Sequence, residues 1–204
     1  MNRISATIFL HELLIQCSVA EYSYSCLLNA ADGWSSLIEE RDSPAKVLAL
    51  CSSFLSSAYV IRTLLFKGEG ERDTAVKSNR RQALLAMLEI PTGKLATIKN
   101  VHVRDSFVHI DERLDKHLEN IKQARIEPFN LLPQDPNPNT LVIRRFNPSR
   151  LTISCLHREE QGKKIEIELK RLFEEIQLVR NGIDVADGKW SRFNEILLKD
   201  IGLE

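Results

Sequence analysis

The chain has 204 residues, with 28 Lys and Arg against 28 Asp and Glu, 43% hydrophobic and 6% aromatic residues, 8 Gly, 7 Pro and 4 Cys. At this length a domain buries roughly 70% of its unfolded surface without metal or disulfide staples, so collagen-like, disordered and disulfide-framework classes are excluded. A formal net charge of zero removes the broad cationic footprint of a constitutive nucleic-acid binder, yet leaves room for a local phosphate site.

From Ile4 to about Ala31 there is no Pro or Gly, and Ile8, Leu10, Leu13, Leu14, Cys17 and Ala20 recur at helical spacing; Gly33 closes this first helix. Ser43-Pro44 is an N-cap followed by proline at the first helical position, and the second helix runs to Phe66 before Lys67-Gly68 stops it. Its stretch Val47 to Ile61 holds fifteen uncharged residues ended by Arg62, short of the roughly 20 a membrane span needs, and four serines dilute it. A buried helix and no membrane association are expected. Asp73 to Glu89 makes a third, more polar helix ended by Pro91, and Thr92 caps a fourth running to about Gln123. The expected result for residues 1–125 is an α-helical bundle.

Four of the seven prolines fall between Pro128 and Pro138, among Asn130, Asp135, Asn137 and Asn139, so residues 126–139 read as a long surface connection. Residues 140–204 form a small α+β extension packed on the bundle. Its strands are Thr140 to Phe146, Arg150 to His157 and Lys163 to Leu169, with turns at Asn147-Pro148-Ser149 and Glu160-Gln161-Gly162, an antiparallel three-stranded meander. Leu169, Leu172, Phe173, Ile176 and Val179 share one helical stripe that covers this sheet until Asn181-Gly182, and a further helical segment is anchored by Trp190, Phe193, Ile196 and Leu197.

The usual chemical motifs are absent: no P-loop, no G-x-G-x-x-G, no H-E-x-x-H and no G-x-S-x-G, so neither cofactor nor metal is expected. Cys17, Cys26, Cys51 and Cys155 are widely spaced, without C-x-x-C, which fits reduced thiols in a cytoplasmic protein. The informative segment is Val103-Arg104-Asp105-Ser106-Phe107-Val108-His109-Ile110-Asp111-Glu112-Arg113-Leu114-Asp115, which gathers an Arg, a His and several carboxylates within a few turns. At about 100° per residue, Phe107, Ile110, Leu114, Leu118 and Ile121 face the core, while Asp105, His109, Glu112 and Lys116 lie opposite within an arc of roughly 60°. Asp105 is four residues from His109, so the carboxylate can orient the imidazole and raise its pKa, poising it for proton transfer. Arg104 points about 140° away from His109 on the same count, so joint action calls for a kink, a long Arg reach or a second subunit. The same charges also suit an ordinary solvated helix face laced by pairs such as Glu112 with Lys116.

Arg104 and His109 in the frame R-x(4)-H, on the last long helix of an all-α bundle, resemble the R-x(4–6)-H signature of the HEPN superfamily. The resemblance covers the motif and the helices up to about residue 125. It implies a homodimer in which motif helices from two chains face each other across a cleft, and an RNA-acting protein, in many members a metal-independent endoribonuclease of toxin or phage-defence systems. On this basis Arg104 binds the scissile phosphate, His109 is general acid or base during attack by the ribose 2′-OH, and Asp105 takes the polar position beside the Arg. Other members of the superfamily are non-catalytic nucleotide- or RNA-binding modules, and a dimeric nucleotide- or protein-interaction module is the alternative for this chain. An antitoxin or other protein partner belongs to the same expectation. Lys77, Arg80 and Arg81 read as a solvated or phosphate-contacting patch, Arg144 and Arg145 as a phosphate patch or as protection of a sheet edge, and Tyr22, Tyr24 and Trp34 as packing residues. His102 and His117 read as surface residues.

Overall fold

The computed structural model describes residues 3–37, 43–68, 71–72, 74–100, 103–108, 125–156 and 163–200, and their side chains except those of 3–5, 36–37, 105–106, 108 and 190–200. The described residues up to Asn100 are mostly helical, as their periodicity dictates: α1 (Arg3–Asp32), a short α2 (Trp34–Leu37), α3 (Ser43–Leu65) and α4 (Ala75–Leu88). Thr74 caps α4 by accepting the Lys77 N–H, and Glu89 ends it in the left-handed region at φ 54°. The expected fourth helix is broken at its start into a 3-10 turn (Thr92–Leu95), α5 (Ala96–Lys99) and α6 (Val103–Val108), and its continuation to Gln123 lies outside the described residues.

The strand region corrects the sequence expectation. A four-helix bundle followed by a three-stranded antiparallel meander is not what forms: the sheet is mixed and four-stranded, in the order β1-β2-β3-β4. Strands β2 (Thr140–Asn147), β3 (Thr152–Leu156) and β4 (Lys164–Glu168) are the antiparallel set, but β1 (Arg125–Asn130) adds parallel to β2, with Phe129 opposite Arg144. Pro128 sits in β1 without disrupting the sheet because β1 is an edge strand, where a missing N–H costs no ladder bond. A parallel connection normally uses a helix, but nine residues, 131–139, suffice here: at about 3.3 Å each they can retrace a six-residue strand. Arg145 holds that return path, donating to the carbonyls of Leu132 (3.2 Å) and Gln134 (2.6 Å) and to Asp135 Oδ1 (2.7 Å). Arg145 therefore guards no sheet edge, since β2 is internal.

One sheet face supplies Phe146, Ile153, Cys155 and Ile167 to the main core, shared with Leu13, Leu27, Phe54, Leu55, Ile61, Leu84, Leu172 and Ile176. The other face carries the separate small cluster Leu141, Ile143 and Leu156. The last helix, α7 (Leu169–Asp200), does not stop at Asn181-Gly182 but runs through Gly182 and Gly188. At Gly182 a Cβ would lie 2.8 Å from the Leu88 carbonyl oxygen, so this glycine permits close approach of α4 and α7 and does not terminate the helix.

Two contacts tie α7 to the helices before it. Glu175, buried, accepts the backbone N–H groups of Thr97 (2.9 Å) and Ile98 (2.8 Å), satisfying donors at the start of α5. Tyr24 of α1 stacks on Phe173 with ring centroids 4.0 Å apart. Helix α3 is long and apolar enough to cross a membrane by length and composition; here Val47, Cys51, Phe54, Leu55, Ala58, Ile61 and Leu65 are buried in the core.

Candidate functional site

Arg104 lies on the six-residue α6, which packs against α3, β3 and β4. Its neighbours explain how the helix is seated: Val103 and Phe107 are buried in the main core, Phe107 completely, as the helical count for Phe107 requires. The Cys155 thiol lies 3.6 Å from the Val103 carbonyl, which fixes the start of α6 to β3. Arg104 is thereby left at the boundary between core and surface, with its guanidinium carbon 4.4 Å from the centroid of Tyr59 on α3.

Two further guanidinium groups gather around α6. Arg62, one turn after Tyr59, has its guanidinium carbon 5.9 Å from the same ring and donates from Nε to the Lys99 carbonyl at 2.8 Å. It is only 7% exposed, and among the described residues no carboxylate lies within ion-pair distance. Arg144, half-buried on the core face of β2, sits over Phe107 at 5.5 Å, again without a carboxylate partner among the described residues. Burial lowers its pKa from the ordinary arginine value, with the neighbouring Cys155 acting weakly in the opposite sense. Guanidinium groups from three elements thus lie at rings on or beside this short helix, Arg104 and Arg62 at Tyr59 and Arg144 at Phe107.

The backbone of Asp105 belongs to α6, while its side chain and the whole of His109 lie outside the described residues, as do His102 and His117. Of the three motif side chains, the structure describes that of Arg104. Among the described residues no group of three or more His, Cys, Asp or Glu is arranged to hold a metal ion.

The other basic patches divide by burial. Lys77 and Arg81 both bond Glu71, which also accepts the Gly68 N–H at 3.0 Å, so they close a loop in which Arg81 is buried and Lys77 stays partly exposed. Arg80 packs over Phe9 at 4.9 Å. Tyr24 packs as expected, but Tyr22 is exposed and is not a packing residue of this chain. Sequence reasoning passed over Tyr59 and Arg62, whose visible signal is an aromatic and a cation three residues apart on an otherwise apolar helix.

Comparison of the chain with protein-family models, with curated proteins and with solved structures gives no match.

Proposed function

We propose that this is a cytoplasmic RNA-acting protein whose phosphate site centres on Arg104, working as a metal-independent endoribonuclease of the toxin or phage-defence type. The observation that carries the reading is the cationic surround of α6: Arg104 and Arg62 share the Tyr59 ring, and Arg144 lies over Phe107. The R-x(4)-H resemblance to HEPN proteins supports the choice of RNA over another anion. In this reading Arg104 neutralises the scissile phosphate, and His109, oriented by Asp105, moves a proton as the ribose 2′-oxygen bonds to phosphorus and the bond to the 5′-oxygen breaks. The expected working unit is a homodimer, with an antitoxin or another protein as a further partner.

Incubation of the purified chain with total RNA in chelator tests this, beside Arg104→Ala and His109→Ala. Loss of cleavage by at least tenfold to a hundredfold in both variants is expected. Equal cleavage by all three overturns the site. A chain that binds RNA through Arg104 without cutting it belongs to the second reading, a non-catalytic dimeric interaction module, which the exposed Ile8, Ile15, Val19 and Tyr22 of α1 favour.

A further inference from the structure

Helix α1 is apolar on two sides. Leu10, Leu13, Cys17, Ala20 and Leu27 are buried against α3 and α7. On the outer side Ile8, Ile15, Val19 and Tyr22 are 61%, 46%, 38% and 69% exposed among the described residues. An amphipathic surface helix would carry charge there. Yet from Ile4 to Ala31 only Glu12, one turn beyond Ile8 on this side, and Glu21 are formally charged, with Arg180 of α7 reaching Ser18 at the edge of the stripe, whereas 27% of the whole chain is charged. Depletion of charge around aliphatic and aromatic side chains is the compositional mark of the centre of a protein interface.

The spacing says what the occupant is. Ile8, Ile15 and Tyr22 recur every seven residues, the repeat that keeps one seam facing a partner helix, and the series is centred on Ile15. A two-fold axis through Ile15 therefore maps the stripe onto itself: Ile8 meets Tyr22 of a second copy, and Ile15 meets its own counterpart. Antiparallel pairing also sets opposite ends of the helix dipoles side by side. The four side chains expose on the order of 400 Å² per copy, as large as the biggest patch a soluble chain usually shows. Doubled, with their flanking residues, they reach about the 1,000 Å² at which specific interfaces begin. We infer that the outer face of α1 is the seat of a second copy of this chain, paired antiparallel about Ile15.

This inference does not rest on the RNA reading, since α6 packs against α3, β3 and β4 and its cations are not part of the stripe. The test uses the full chain. Light scattering after gel filtration should give the mass of a dimer for the wild type and half that mass for Ile15→Glu, with an unchanged circular dichroism spectrum because Ile15 is on the surface. A Cys26→Ser background then carries single cysteines: Ile15→Cys should cross-link to itself, and Ile8→Cys should cross-link to Tyr22→Cys when the two proteins are mixed. A monomeric wild type, a dimer that survives Ile15→Glu, or Ile8→Cys cross-linking only to itself overturns the proposal. So does flotation of a monomeric wild type with phosphatidylglycerol vesicles, which assigns the face to lipid. Loss of RNA cleavage in Arg104→Ala with an intact dimer separates the two readings.

Discussion

Glu175 shows how much one carboxylate can organise. It is buried, reaches from α7 to α5, and takes the Thr97 and Ile98 N–H groups on its two oxygens. Replacing it with Ala leaves two amide donors unsatisfied in a dry site, and urea denaturation should record a loss of about 2–4 kcal/mol, with Glu175→Gln losing less because one acceptor survives. Glu71 makes a different kind of prediction. Its carboxyl is held at a pKa of about 2, below the ordinary 4.5, chiefly by the Gly68 N–H and then by Lys77, with Arg81 adding to them against a smaller cost of burial. A depressed folded pKa means that this stabilisation is present above about pH 4.5 and is lost as pH falls towards 2. The stability difference between wild type and Glu71→Gln should therefore shrink across that window, and a difference that stays constant would show that the clamp does not depend on the charge. These residues also mark what could be read beforehand. Arg104 and Phe107 were legible because a helical count sorts them, whereas Arg62, Arg144 and Glu175 act through partners 37 to 78 positions distant or on another element, which no local spacing encodes.

At the scale of elements, the two glycines of α7 separate intrinsic propensity from packing. Glycine in a helix costs about 1 kcal/mol relative to alanine, so Gly188→Ala, where a new Cβ meets nothing within 4 Å, should raise stability by up to that amount. Gly182→Ala gains the same propensity but drives Cβ to 2.8 Å from the Leu88 carbonyl, a backbone atom that cannot swing aside. There the clash should win, with a net loss of about 1–3 kcal/mol; thermal melts of the two variants should move in opposite directions. The same pair explains a boundary misread from sequence: Asn181-Gly182 has the composition of a helix stop, and only the approach of α4 reveals its use. Strands β2 to β4 were legible because their alternation is local. Strand β1 was not, because Pro128 and the surrounding Asn and Asp residues are turn formers, and its pairing with β2 depends on Arg145 holding the 131–139 return path.

At the scale of the whole molecule, the decisive feature is that one apolar core runs from α1 and α3 through the sheet to α7. Cys17 and Ile176 meet across it, and burial raises the Cys17 thiol to a pKa of about 12, which leaves it inert as a nucleophile. If the helical half and the strand half shared only an outer surface, each would keep its own cooperativity. Here the groups that would have to part are Leu13, Cys17, Phe54, Ile176 and Val179, all fully buried. Phe146→Ala in the sheet and Ile176→Ala in α7 should each cost about 2–5 kcal/mol. Both losses should appear in every probe, far-ultraviolet circular dichroism and hydrogen exchange of the strands alike, as one shifted transition. Exchange in β2 and β3 that accelerates in Phe146→Ala while α1 keeps its full protection would instead divide the chain into two folding units. The fragment 1–125 would then be expected to stand alone. In a continuous core it should not, because removing α7 uncovers Cys17 and Tyr24 of α1, which meet Ile176 and Phe173 of that helix.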